Sequence, residues 1–180
     1  MVATTASIRL VVFLGNPGNQ YQYTRHNAGF LLAEHLPFAS ELSWQKKFKG
    51  EYADYLIGGR KISFLKPLTF MNKCGESIAA AAAFFKLSRE QILIVHDDLE
   101  LPFGEFALKQ GGGLAGHNGL RSAAQLLGGK DFFRFRIGIG RPSRGSPSSY
   151  VLSKFSDEEA AELQDLLERA ARELTGALER

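Results

Sequence analysis

Apolar residues in this chain fall into short blocks of two kinds. Ile8 to Leu14 (IRLVVFL) is a nearly continuous β-branched and aliphatic run, as expected for a strand buried on both faces. Ile92 to Val95 has the same character and runs straight into His96-Asp97-Asp98. Phe133 to Ile139 alternates instead, with Arg134 and Arg136 on one face and Phe133, Phe135 and Ile137 on the other. Tyr52 to Ile57 and Lys61 to Leu65 flank Gly58-Gly59 and predict a hairpin, and Glu105 to Lys109 predicts a short strand. Helices are predicted after Asn27 and after Asn118, each asparagine read as a cap, and over the alanine-rich stretch Glu76 to Lys86. A final helix opens on the S-x-x-E box Ser156 to Glu159 and lines up Leu163, Leu166, Leu167, Ala170 and Leu174.

Strands alternating with helices predict an α/β fold: a single-domain three-layer αβα sandwich around a mixed, mainly parallel sheet. Residues 8–180 carry these elements without a linker long enough to divide them. Residues 1–7 are small and polar, read as a flexible segment, and lack the basic start and apolar core of a secretory signal. Ligands in such folds sit where loops leave the carboxyl ends of the strands. Two polar clusters, Asn16 to His26 and His96 to Glu100, occupy such places.

Composition narrows the class. At 180 residues, with 44% hydrophobic and 23% charged residues, the chain is an ordinary globular domain. No apolar run is long enough to span a bilayer. The one cysteine, Cys74, excludes a disulfide framework and a multi-cysteine zinc site, and a reducing cytoplasm is the expected location. The net charge of +3 understates the basic character of the body, because acidic residues concentrate between Asp157 and Glu179. Lysines and arginines such as Lys109, Lys130, Arg136, Arg141 and Arg144 are therefore available to an anionic partner, although most such residues on most proteins only face water.

The chemistry is defined partly by what is missing. There is no G-x-S-x-G elbow, no H-E-x-x-H, and no histidine beside Cys74, so nucleophilic and zinc catalysis have no motif to rest on. Gly15 to Gly18 has the look of a phosphate loop but lacks a third glycine and a P-loop lysine. His26 lies in a polar loop between strand and helix, where an imidazole can take a proton from water at neutral pH. Asp97 can orient it if the two strand ends are neighbours. Asn16, Asn72 and Asn118 add amides able to hold an acyl group. His35 and His96 are read as structural, and His117 as a loop residue within possible reach of a ligand. Asn16 and Asn118 also have plain readings, as turn and cap residues.

Five segments together resemble the bacterial-type peptidyl-tRNA hydrolase family. They are Gly15-Asn16-Pro17-Gly18 through Tyr21 to Thr24-Arg25-His26-Asn27-Ala28-Gly29; Lys66-Pro67 with Thr69-Phe70-Met71-Asn72 and Gly75; His96-Asp97-Asp98-Leu99-Glu100-Leu101-Pro102; Gly111-Gly112-Gly113 through Gly116-His117-Asn118-Gly119-Leu120; and Arg136 to Pro142 with Tyr150-Val151-Leu152 and Phe155. The resemblance implies a metal-free, cofactor-free monomer that cleaves the ester between a peptide and the tRNA 3′ end and recycles tRNA in translation. It implies His26 as base and Asp97 as its orienting carboxylate. Asn16, Tyr21, Met71, Asn72 and Asn118 match substrate-binding positions, and Lys109 and Arg136 match tRNA phosphate contacts. Leu114, Ala115 and Phe103 depart from the pattern, and the carboxylates Asp98 and Glu100 are exchanged. The alternative is an RNA-binding protein of the same fold, like an organellar splicing factor, whose hydrolase activity is idle. Turnover of an N-blocked aminoacyl-tRNA separates the two.

Overall fold

In the computed structural model, which describes residues 4–180, the apolar runs become the centre of one seven-stranded sheet. The strands are β1 (Leu10–Phe13), β2 (Gln45–Lys47), β3 (Gly50–Ile57), β4 (Arg60–Pro67), β5 (Ile92–Asp98), β6 (Phe106–Gln110) and β7 (Phe133–Gly138). Their order is β2-β3-β4-β1-β5-β7-β6. The inner four, β4, β1, β5 and β7, are parallel, while β2, β3 and β6 add on in antiparallel sense at the two edges. Every residue of β1 and β5 is buried, which is what a continuous apolar run requires of a strand covered on both faces.

Helices α1 (Ala28–Glu34) and α5 (Asp157–Glu179) cover one face, and α2 (Cys74–Phe85) and α3 (Asn118–Leu127) the other. The first core joins Val11, Phe13, Phe64 and Phe135 to Leu32, Leu167 and Leu174, and the second joins Leu10, Val12 and Ile94 to Ile78, Leu120 and Ala123. Strand faces therefore divide their side chains between two layers with period two. Gly29 lets α1 lie directly on the strand ends: a Cβ there would stand 2.6 Å from the Leu14 carbonyl oxygen and 2.7 Å from that of Val95.

Several local readings change. Asn27 does not cap α1 with its side chain; its amide instead closes on the Asn16 backbone. Asn118 is the first residue of α3, and the cap is His117, whose side chain accepts from the N–H groups of Gly119 and Leu120. Two elements were not anticipated, the edge strand β2 and the short helix α4 (Pro147–Val151) inside the Ser/Pro/Gly loop. Each is too short to show a period. Of the segment 1–7, residues 1–3 lie outside the described residues, and Thr5–Ser7 forms a 3-10 turn with the Ser7 hydroxyl donating to Glu90 O at 2.9 Å. Among the described residues no helix is long and apolar enough to cross a membrane.

Candidate active site

The carboxyl ends of β1 and β5, together with the loops after β4 and before α3, enclose a cleft of about 480 Å³. Asn16, Tyr21, His26, Met71, Asn72, Asp97 and Asn118 all line it. They come from four separate stretches of chain, and parallel pairing of β1 with β5 makes them neighbours. Lys109 and Arg136 lie outside this lining. Lys109 is exposed on β6, and Arg136 on β7 donates through Nε to Asp98 Oδ2 at 2.7 Å.

His26 and Asp97 meet directly. His26 Nδ1 is 2.9 Å from Asp97 Oδ2 and 3.0 Å from Oδ1, with His26 only 7% and Asp97 1% exposed. An ionised carboxylate only accepts, so Nδ1 carries the hydrogen and Nε2 keeps its lone pair for the cleft. Burial by itself would lower the His26 pKa, but the charge of Asp97 and its hydrogen bond outweigh burial and hold it above 6.5. Burial likewise opposes ionisation of Asp97, and the two facing imidazoles reverse that, keeping its carboxyl well below the usual carboxylate range.

The second imidazole belongs to His117. Its Nδ1 accepts from Gly119 N at 3.1 Å and Leu120 N at 3.2 Å, so its hydrogen is on Nε2, which donates to Asp97 Oδ1 at 2.9 Å. Capping thus fixes the tautomer that lets His117 hold Asp97. Gly119 keeps room for this, since a Cβ there would stand 2.6 Å from the Met71 sulfur and 3.0 Å from His117 Cε1. His26, Asp97 and His117 bring three ligand-type atoms within 4.8 Å of one another. The imidazole nitrogens that face the carboxylate donate to it, and the other nitrogen of His117 is engaged as a cap, so the trio is satisfied as a hydrogen-bonded relay.

Asn16 forms the floor. Its Oδ1 accepts from Met71 N at 2.8 Å, which settles the orientation of the amide and leaves Nδ2 as the donor for the cleft. Its backbone N–H donates to Asn27 Oδ1 at 2.8 Å and its carbonyl accepts from Asn27 Nδ2 at 3.0 Å. Asn72 and Asn118 are exposed at the rim. Arg134, expected on the same strand face as Arg136, is buried and donates to the carbonyls of Gly113 and of Gly112, the latter at 2.7 Å. It braces the glycine loop from beneath. In that loop Ala115 takes φ +50°, a left-handed conformation that a glycine holds more cheaply.

His26 and Asp97, singled out from the sequence, are brought into contact, while the second imidazole on the carboxylate, the Asn27 clasp and the burial of Arg134 had no reading there. A histidine at a helix start was the available signal for His117.

Comparison with known proteins gives a consistent picture. A family model described as peptidyl-tRNA hydrolase matches residues 10–180. The chain is 50% identical over 163 residues to a peptidyl-tRNA hydrolase of Geotalea daltonii, covering 90% of this chain and 85% of that one. It is 49% identical over 172 residues to that of Treponema pallidum, covering 93% and 85%. Among solved structures, the Arg119Gln mutant of the Acinetobacter baumannii peptidyl-tRNA hydrolase superimposes with a TM-score of 0.89 at 36% identity, covering 96% of this chain and 89% of that one.

Proposed function

Because this chain belongs to the peptidyl-tRNA hydrolase family and hydrolyses peptidyl-tRNA, we propose that its chemistry runs through His26 acting as a general base on water. The observation that carries this is the Nδ1 contact with Asp97 at 2.9 Å, which leaves Nε2 unprotonated toward the cleft. Nε2 takes a proton as the water oxygen bonds to the ester carbonyl carbon. The imidazolium formed is stabilised by Asp97, and it returns the proton to the ribose oxygen as the C–O bond breaks. The products are a tRNA with a free terminal hydroxyl and a peptide carboxylic acid, which gives its proton to solvent to become the carboxylate. The Asn16 Nδ2 donor is held in advance by Met71 N and suits the oxyanion. Asn72 and Asn118 at the rim, with Tyr21 and the buried Met71 in the lining, are read as holding the peptide part.

The amides of Asn72 and Asn118 match the donor and acceptor of a peptide group better than a free α-ammonium, which only donates, and this favours a peptide or N-blocked substrate over simple aminoacyl-tRNA. Lys109 and Arg136, at the β6–β7 edge beside the cleft, are proposed to meet tRNA phosphates. Base, carboxylate and amides all come from one copy of residues 8–180, which supports reading them as a single catalytic domain that works as a monomer. A tRNA substrate favours the cytoplasm. His26→Ala should lower turnover of N-blocked aminoacyl-tRNA by about 10²–10⁴-fold with an unchanged circular dichroism spectrum. Near-normal hydrolysis by the folded variant would remove His26 from the mechanism.

A further inference from the structure

His96 is buried at 2% exposure, lies beside the proposed dyad, and has no part in the mechanism above. Its Nδ1 is 2.8 Å from the backbone oxygen of Asp97. That oxygen needs a partner for a topological reason. Along this edge of β5, the Val95 carbonyl accepts from Leu14 N, and the strand pairing with β1 has already ended at Phe13. The next carbonyl on the same edge belongs to Asp97, past the end of its neighbour, and a buried orphan carbonyl is unfavourable. The His96 side chain supplies the missing donor. A carbonyl can only accept, so Nδ1 carries a hydrogen, and burial with no acceptor facing Nε2 keeps the ring neutral. Nε2 is then a buried acceptor with no partner.

Leaving that acceptor unsatisfied carries a cost that an apolar side chain would avoid. What the histidine gives in return is two contacts. One is the bond to the Asp97 carbonyl, and the other is an edge-on ring contact with His117, centroids 5.2 Å apart. His117 in turn lies 4.9 Å from the His26 ring. Three imidazoles thus surround one aspartate, and His96 touches the two groups that set the environment of His26.

We propose that His96 is a positioning residue, which fixes the main chain of Asp97 and the ring of His117 so that the Asp97 carboxylate stays aligned on His26. The inference rests on the general-base reading of His26. The titratable and charged groups facing this cluster are Asp97 and Asp98 on β5, His26 ahead of α1, His117 at the cap of α3, and Arg134 and Arg136 on β7. Burial, with His117 adding to it, lowers the His96 pKa to about 4. The ring therefore remains neutral through the pH range in which His26 titrates.

Two substitutions separate donor from ring. His96→Phe keeps a ring against His117 and removes the donor, whereas His96→Asn places an amide N–H where Nδ1 was. For His96→Phe, kcat should fall about tenfold, the scale of one hydrogen bond, with KM little changed. The acid limb of kcat/KM should also move to lower pH, because a loosened Asp97 leaves burial to dominate His26. His96→Asn should keep the wild-type limb. The inference is overturned by a wild-type limb in folded His96→Phe, by the same shift in both variants, or by losses in both that follow Tm with no shift. If either variant fails to fold, imidazole ¹⁵N spectra of the wild-type protein decide. They should show His96 as the Nδ1–H tautomer without titration between pH 8 and pH 5, and an Nε2–H tautomer or a midpoint near 6.5 would overturn the inference. The His26→Ala control separates the two levels: an active His26→Ala variant fails the general-base reading, while an inactive one beside an unperturbed His96→Phe fails this inference alone.

Discussion

The Asn16 amide gives its oxygen to Met71 N, so only its NH2 can meet negative charge developing in the cleft. Asn16→Asp preserves shape and the Met71 contact but replaces that donor with an acceptor. It should lower kcat by about 10²–10³-fold while KM changes little, the scale of removing one oxyanion donor. Steady-state kinetics on N-blocked aminoacyl-tRNA checks this, and a parallel rise in KM alone would make Asn16 a binding residue. At this scale the sequence was informative where a residue's surroundings are local. His26 lies in a polar loop after an apolar run, and Asp97 ends the next such run. Roles that depend on distant partners were hidden. That Asn27 clasps Asn16, or that His117 reaches Asp97, follows from how β1, β5 and α3 come together, which no spacing in the chain encodes.

Helix α5 is tied to the site through its own cap. Ser156 Oγ accepts from Glu159 N, and the Glu159 carboxylate accepts from Ser156 N at 2.8 Å and from Arg25 Nη2 at 2.7 Å. Arg25 precedes His26 and also donates to the Lys154 carbonyl at 2.9 Å and to Ser153 Oγ. The capping box was legible from S-x-x-E, but the arginine that shares its glutamate was not. Two substitutions should therefore differ in size. Ser156→Ala removes one cap bond and should cost about 1 kcal/mol in urea unfolding. Glu159→Ala also leaves the largely buried Arg25 guanidinium without its carboxylate and should cost about 3 kcal/mol. Equal losses would show that the Arg25 contact contributes nothing. Long elements with a clear period were readable within a few residues of their ends. The edge strand β2 and helix α4 were not, because their formation depends on β3 and on the loop that follows β7.

Across the whole molecule, the sheet order puts Lys109 and Arg136 on β6 and β7, at one end, with the cleft at the strand ends beside them. If they meet tRNA phosphates, Lys109→Ala should raise KM with kcat nearly unchanged, and the slope of log(kcat/KM) against log[salt] should flatten by about 1. An unchanged slope would exclude Lys109 from the tRNA contact. Stability should also depend on pH through the buried cluster. His96 has a folded pKa near 4 against about 6.5 unfolded, so the unfolded chain binds the extra proton between these values. Its contribution is complete above pH 6.5 and is lost as the pH falls toward 4, and Asp97, held low, adds a further loss at more acid pH. His26 has the opposite sense, since its raised pKa gives stability that disappears as pH rises through it. Urea unfolding of the wild type should thus weaken by roughly 1–3 kcal/mol from pH 6.5 to 4, and His96→Asn should remove most of that slope. The charge of Asp97 should make His26 a stronger base than burial would allow. The pH dependence of kcat/KM for wild type and Asp97→Asn measures this directly. The wild-type acid limb should lie above 6.5, and in Asp97→Asn it should move to lower pH with a large fall in turnover. The same midpoint in both proteins would show that Asp97 does not set the basicity of His26.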